Sequence, residues 1–379
     1  MGSPLKIVEI PVRVRRLEPL ILDENMRCFQ PQGAIEDDGG GFQLSRYPEI
    51  GRLVIPESLD IPHDEWFSPF ATYHGRGFCI DRHTRWEKVK IYEIENRSPH
   101  LTVKDGVLYS ADMRRLIYCF EEMDTFTVPP QVATIEPFAF CGQTRLKQIT
   151  LHEGITDMGP AAFMGCSRLQ EVIIPPVVKL IPDDCFDGCE SLCQVVLPDG
   201  LQRIGNCAFR TCRELTEIHL PATVTGLCSF DGCSSLREIE IPAGMERVEG
   251  FMFCHSLQRV ILHAGVRSIA DYAFRNCYKL RHINFPEGLE YIGSRAFYPS
   301  SLRQLDFPST LQEIGCEAFY YNGRLWRVKF QNTPREIGLA AFACCLRLLK
   351  PLISMPKGMT MAKDVFRQDS GLDKFGFWD

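Results

Sequence analysis

Cysteine is the residue of this sequence best equipped for chemistry, and its spacing indicates which chemistry to expect. The 379 residues include 17 cysteines, an odd number, so at least one lacks an intrachain partner. Seven of them, Cys166, Cys189, Cys212, Cys233, Cys254, Cys277 and Cys345, each stand three residues after a phenylalanine. A structural zinc site needs two close ligand pairs. Cys185-x3-Cys189-x3-Cys193 and Cys207-x4-Cys212 come nearest to that spacing, with no second ligand set beside them. Disulfides between neighbours of a stack meet the required Cα separation, but parallel Cβ vectors make the torsion hard to reach. The favoured reading is a column of buried thiols, each a small hydrophobe with a weak donor turned toward loop carbonyls. That many free thiols suit a reducing compartment or an anaerobic habitat.

Other reactive side chains are scattered. His63, Asp64, Glu65, His74, Cys79 and His83 lie close together in the chain and would be the material for a small hydrolytic or metal site. Their spacing follows no known ligand or catalytic pattern. His219, His263 and His282 are not spaced as one cluster. The phosphate-binding loop, the nucleophile elbow, the His-Glu-x2-His metal helix and the dinucleotide glycine pattern are all missing. The expectation is therefore no enzyme: no catalytic residues, no metal and no cofactor.

The elements that position these residues repeat. Phenylalanines at 140, 163, 186, 209, 230, 251, 274, 297, 319, 342 and 366 are separated by 23, 23, 23, 21, 21, 23, 23, 22, 23 and 24 residues. A leucine follows most of them by six residues, as Leu169, Leu192 and Leu215 do. Apolar residues stand three and five positions further on, such as Ile218 with Leu220, and proline usually comes next, as Pro198 and Pro221. A separation of two is strand periodicity, so each repeat offers one short strand with a buried face. Proline then ends it, having no N–H for the ladder. A second apolar pair, such as Leu201 with Ile204, leads into a turn that closes on the phenylalanine. One such unit cannot bury its apolar face alone, but a stack of them can.

The run Phe186-Asp187-Gly188-Cys189-Glu190-Ser191-Leu192, leading to Val195, Leu197 and Pro198, resembles the BspA-type leucine-rich repeats. So does the insert Asp105-Gly106-Val107-Leu108-Tyr109-Ser110. The resemblance covers about residues 86–379. It implies an α/β-type repeat solenoid, mostly short parallel strands with turns and short helical segments. It also implies a non-enzymatic role in adhesion or protein binding. Three regions are expected: a cap with an eroded repeat near Leu53-Val54-Ile55-Pro56 over 1–85, the solenoid over 86–372, and a second cap over 373–379 containing Phe375, Phe377 and Trp378.

Side chains two and four positions after each leucine point away from the core, onto the face that solenoids use for binding. Glu171, Glu217, Glu238 and Glu240 make the early and middle rungs acidic. Arg259, Arg327 and Lys329 make the later ones basic. His219 and His282 lie on the same columns, Ile173, Val196 and Ile261 are apolar where water is expected, and Trp326 adjoins them as an anchor. Two readings stand, a solvated sheet of ordinary β-formers or a face that holds a protein or a glycan. A structural, self-assembling surface role is the alternative. A net charge of −6 argues against a nucleic-acid partner, and no run is apolar enough to insert in a membrane. The aromatic caps argue for a monomer. The opening residues carry no basic-then-apolar leader. That suggests a cytoplasmic location, or the cell surface if a leader has been removed.

Overall fold

The computed structural model describes residues 6–9, 17–18, 42–43, 49–59, 90–348, 353–354, 356 and 365. The cluster from His63 to His83 and the aromatic residues at 375–378 lie outside the described residues. The chain divides into two units, residues 1–169 and 170–379.

In the first unit the strand Glu49–Ile55 pairs in parallel with Lys6–Glu9, Lys90–Ile91 and Ile94–Asn96. Pro56 ends it, where the eroded repeat is expected. Ile50, Leu53, Ile55 and Leu59 pack with Leu101, Leu108, Ile117, Tyr118 and Phe120 into one core. The insert forms an antiparallel hairpin, Leu101–Lys104 against Val107–Ser110. Its two turn residues, Asp105 and Gly106, have φ of 50° and 70°, the conformation that suits a two-residue hairpin loop. Regular rungs follow: Thr125–Thr127 pairs in parallel with Gln148–Thr150, and Thr134–Ile135 with Asp157–Met158.

The second unit carries two ladders. On the first, Glu171–Ile173 pairs with Gln194–Val196, and Glu238–Glu240 pairs with Arg259–Ile261 and through it with His282–Ile283. Gln304–Phe307 pairs with Arg327–Phe330, which pairs with Ile353–Ser354. On the second, Leu180–Ile181, Arg203–Asn206 and Gly226–Cys228 form one run. Arg247–Val248, Ser268–Ile269, Tyr291–Ile292, Glu313–Ile314 and Glu336–Ile337 form another. The structure therefore corrects two expectations. Most repeats give two strands instead of one, because the second apolar pair also makes a parallel bridge. The short helical segments are replaced by turns, with no α-helix among the described residues.

In most repeats the turn that carries the phenylalanine is held by left-handed residues on both sides of the ring. Two positions before the ring, Asp184, Tyr272, Arg295 and Glu317 have φ of 53° to 59°. Two positions after it, Gly188 and Gly232 have φ of 74° and 76°. This tight bend drives the ring inward. The phenylalanines from 186 to 342 are fully buried or nearly so, and from Phe209 to Phe342 each stacks on the one before it at 5.1–5.7 Å. The fold class is a repeat solenoid of stacked parallel strands.

Candidate binding face

The outward columns belong to the first ladder of the second unit. Along its strands exposed and buried residues alternate, as in Glu238–Glu240, where only Ile239 is buried. Ile173 lies opposite Val196 in register, and the two remain 55% and 43% exposed. Glu171, opposite Gln194, is half-buried. These two apolar side chains on neighbouring strands are the main departure from a simply solvated sheet.

The acidic and basic sections are less separate than their order in the chain suggests. Glu238 faces Arg259 in register, with Oε1 3.7 Å from Nη1. Glu240 takes the Nε2 of His263 at 2.8 Å. Arg327 donates to Gln304 Oε1 at 3.2 Å and to Asp306 Oδ1 at 3.1 Å on the adjoining strand. Pairs this exposed contribute little stability. They do fix the side chains and offset much of the local charge. Ile261, opposite Glu240, is half-buried, while His282 and Lys329 are exposed. Trp326 is 41% exposed, as an anchor would need. Glu217 and His219 are exposed as well, but their segment forms no strand, so the ladder stops at Gln194–Val196 and resumes at Glu238–Glu240. Ile218 and Leu220 keep the strand pattern there and stay buried. The break coincides with a repeat shortened to 21 residues, ending at Phe230.

The cysteine column is internal. Cys212 Sγ donates to Phe186 O at 3.4 Å, Cys233 to Phe209 O at 3.1 Å, Cys254 to Phe230 O at 3.1 Å, Cys277 to Phe251 O at 3.2 Å and Cys345 to Phe319 O at 3.3 Å. Each thiol thus bonds to the ring-bearing residue one rung back. Burial pushes Cys277 far up and Cys345 up to about 12, so these groups stay protonated donors and poor nucleophiles. Asn322 fills the same position and donates to Phe297 O at 2.9 Å. Among the described residues no group of His, Cys, Asp and Glu could hold a metal ion.

A polar group that the sequence reading passed over sits on the phenylalanine turns. Asp187 is fully buried and receives Arg210, with Nε 3.1 Å from Oδ1. Burial raises Asp184 to about 6, and the charge of Asp187 adds to this while Arg210 works against it. Burial also raises Asp231 to about 6, although it accepts the Met252 N–H at 2.6 Å. The signal available in the sequence was Asp187, Arg210 and Asp231, one residue after successive phenylalanines.

Strand ladders, stacked rings and inward thiols define a leucine-rich-repeat scaffold. The profile of the BspA type leucine rich repeat region matches in six copies over residues 115–228, 226–256 and 248–373, and the chain belongs to that family. Among solved structures it is similar to a leucine-rich repeat protein from Bacteroides ovatus, at 29% identity and a TM-score of 0.58, over 65% of this chain and 67% of that one. It is also similar to one from Eubacterium ventriosum, at 24% identity and a TM-score of 0.42, over 67% and 59%. A third is a leucine rich cell surface protein from Faecalibacterium prausnitzii, at 22% identity and a TM-score of 0.35, over 69% and 99%. No curated protein matches. No helix among the described residues is long and apolar enough to cross a membrane.

Proposed function

We propose that the chain is a non-enzymatic binding scaffold whose first strand ladder, in the second unit, holds a protein partner. The observation that carries this reading is the exposed pair Ile173 and Val196, side by side in register on an otherwise polar sheet. Exposed β-branched side chains gain from leaving water, and a protein surface can supply the apolar cover. The fixed charges of Glu238, Arg259 and Arg327 on the later rungs would then set orientation and reject mismatched partners. Trp326 provides an aromatic edge of the kind that dominates interface energies.

The test takes a partner captured on the immobilised chain and measures its affinity for wild type and for the double variant Ile173→Glu, Val196→Glu. A loss of about tenfold or more, roughly 1.4 kcal/mol, supports the reading. An unchanged affinity removes this face from consideration. Light scattering over a concentration series addresses the structural alternative: a mass that grows with concentration would favour self-assembly.

A further inference from the structure

The residues that directly follow the buried phenylalanines form a column of their own: Asp187, Arg210, Asp231, Met252, Arg275, Tyr298 and Tyr320. Its early part is internally neutralised, since Arg210 is held by Asp187. Its later part changes character. The guanidinium carbon of Arg275 lies 5.5 Å from the centre of the Tyr272 ring and 5.9 Å from that of Tyr298. Tyr298 in turn lies 5.3 Å from Tyr320. Tyr272 is 38% exposed and Tyr321, next in the chain to Tyr320, is 61% exposed.

Among the described residues Arg275 has no anionic partner. Its Nε is buried without a hydrogen-bond acceptor, whereas its neighbour Arg295 is held by Glu317 at 2.7 and 3.2 Å. We propose that this patch binds a carboxylated sugar, with the pyranose ring lying on the tyrosines and its carboxylate meeting Arg275. Two flanking rings hold the guanidinium in place, and with Nε buried the two terminal nitrogens of its planar fork are the ones to match a carboxylate in bidentate fashion. Tyrosines present flat, weakly polar faces at low entropic cost, which suits the C–H face of a sugar.

A peptide added as a strand finds no edge here, because the backbone donors are already used. Tyr272 N donates to Ser294 O at 3.0 Å, Asn276 N to Tyr298 O at 2.9 Å, Arg295 N to Cys316 O at 2.9 Å and Tyr321 N to Ala343 O at 3.0 Å. Recognition must run through side-chain faces, unlike strand addition. This site is separate from the strand ladder and does not depend on the proposed role of that ladder.

The experiment is saturation-transfer NMR and calorimetric titration of the full chain with 3′-sialyllactose, with a glucuronate disaccharide, and with lactose as the uncharged control. The expected result is saturable binding of at least one carboxylated sugar, about tenfold or more tighter than lactose. Which of the two binds distinguishes sialic from uronic acids. Arg275→Gln should abolish the preference over lactose, and Tyr321→Ala, at an exposed position, should weaken binding without altering the circular dichroism. Ile173→Glu with Val196→Glu should leave the titration unchanged. Absence of transfer to both acids, equal binding of lactose, or binding of a poly-glutamate peptide with no sugar binding would each overturn the proposal.

Discussion

Thiols placed 3.1–3.4 Å from carbonyls one rung back act as weak donors, and burial pushes Cys212, Cys254 and Cys277 up, which keeps those three protonated in that role. Cys193 and Cys316, by contrast, are exposed. Thiol labelling of the folded chain at pH 8, mapped by mass spectrometry, should therefore modify Cys193 and Cys316 and leave Cys212, Cys233, Cys254 and Cys277 unmodified until denaturant is added. Labelling of the column at the rate of Cys193 would contradict the packing. The carboxyls at the same scale give a pH dependence. Asp184 and Asp231 titrate near about 6 when folded and near about 3.9 when unfolded. A folded-state value above the unfolded one favours the fold when the group is protonated. Their contribution is therefore complete below about pH 4 and is lost as pH rises through about 6. Asp231→Asn keeps an acceptor for the Met252 N–H and removes one of the two titrations. The fall in urea midpoint between about pH 4.5 and 7 should become shallower in this variant. An unaltered slope would show that Asp231 does not titrate in that range.

At the scale of the element, the rungs are spaced closely enough that some positions admit no side chain. A Cβ on Gly293 would lie 2.4 Å from Asp271 N, and one on Gly315 would lie 2.5 Å from Ser294 N. Gly293→Ala should destabilise the second unit by about 1–3 kcal/mol, as overpacking of a tight interior does, and urea denaturation would measure it. A change below about 0.5 kcal/mol, typical of surface sites, would mean that the rungs can separate locally. The first ladder was legible in the sequence because leucine, the apolar pair and proline recur in phase, and each repeat makes the same demand on the core. The second ladder was harder to read. Its strands span only two residues in places, such as Leu180–Ile181, too short for an alternation to show. Nor does the pattern reveal the interruption at Glu217–His219, since Ile218 and Leu220 keep the strand spacing.

For the whole molecule, the family and fold follow from inward residues, which repeat because every rung buries the same surfaces. Binding sites follow from outward residues, which need not repeat. That difference explains why the columns of Glu171, Ile173 and Val196 could be placed by phase alone, while the Tyr272, Arg275 and Tyr298 group required ring positions and an unpaired nitrogen to be seen. The exposed ion pairs Glu238–Arg259 and Asp306–Arg327 likewise depend on strand register, which a list of charges does not contain. The first strand ladder is the proposed seat of a protein partner. Hydroxyl-radical footprinting of the chain, with and without a captured protein partner, tests it most directly. Oxidation of Ile173, Val196 and Trp326 should fall in the complex while that of Tyr272 and Tyr321 stays unchanged. Equal oxidation of Ile173, Val196 and Trp326 in the free and bound chain would contradict it.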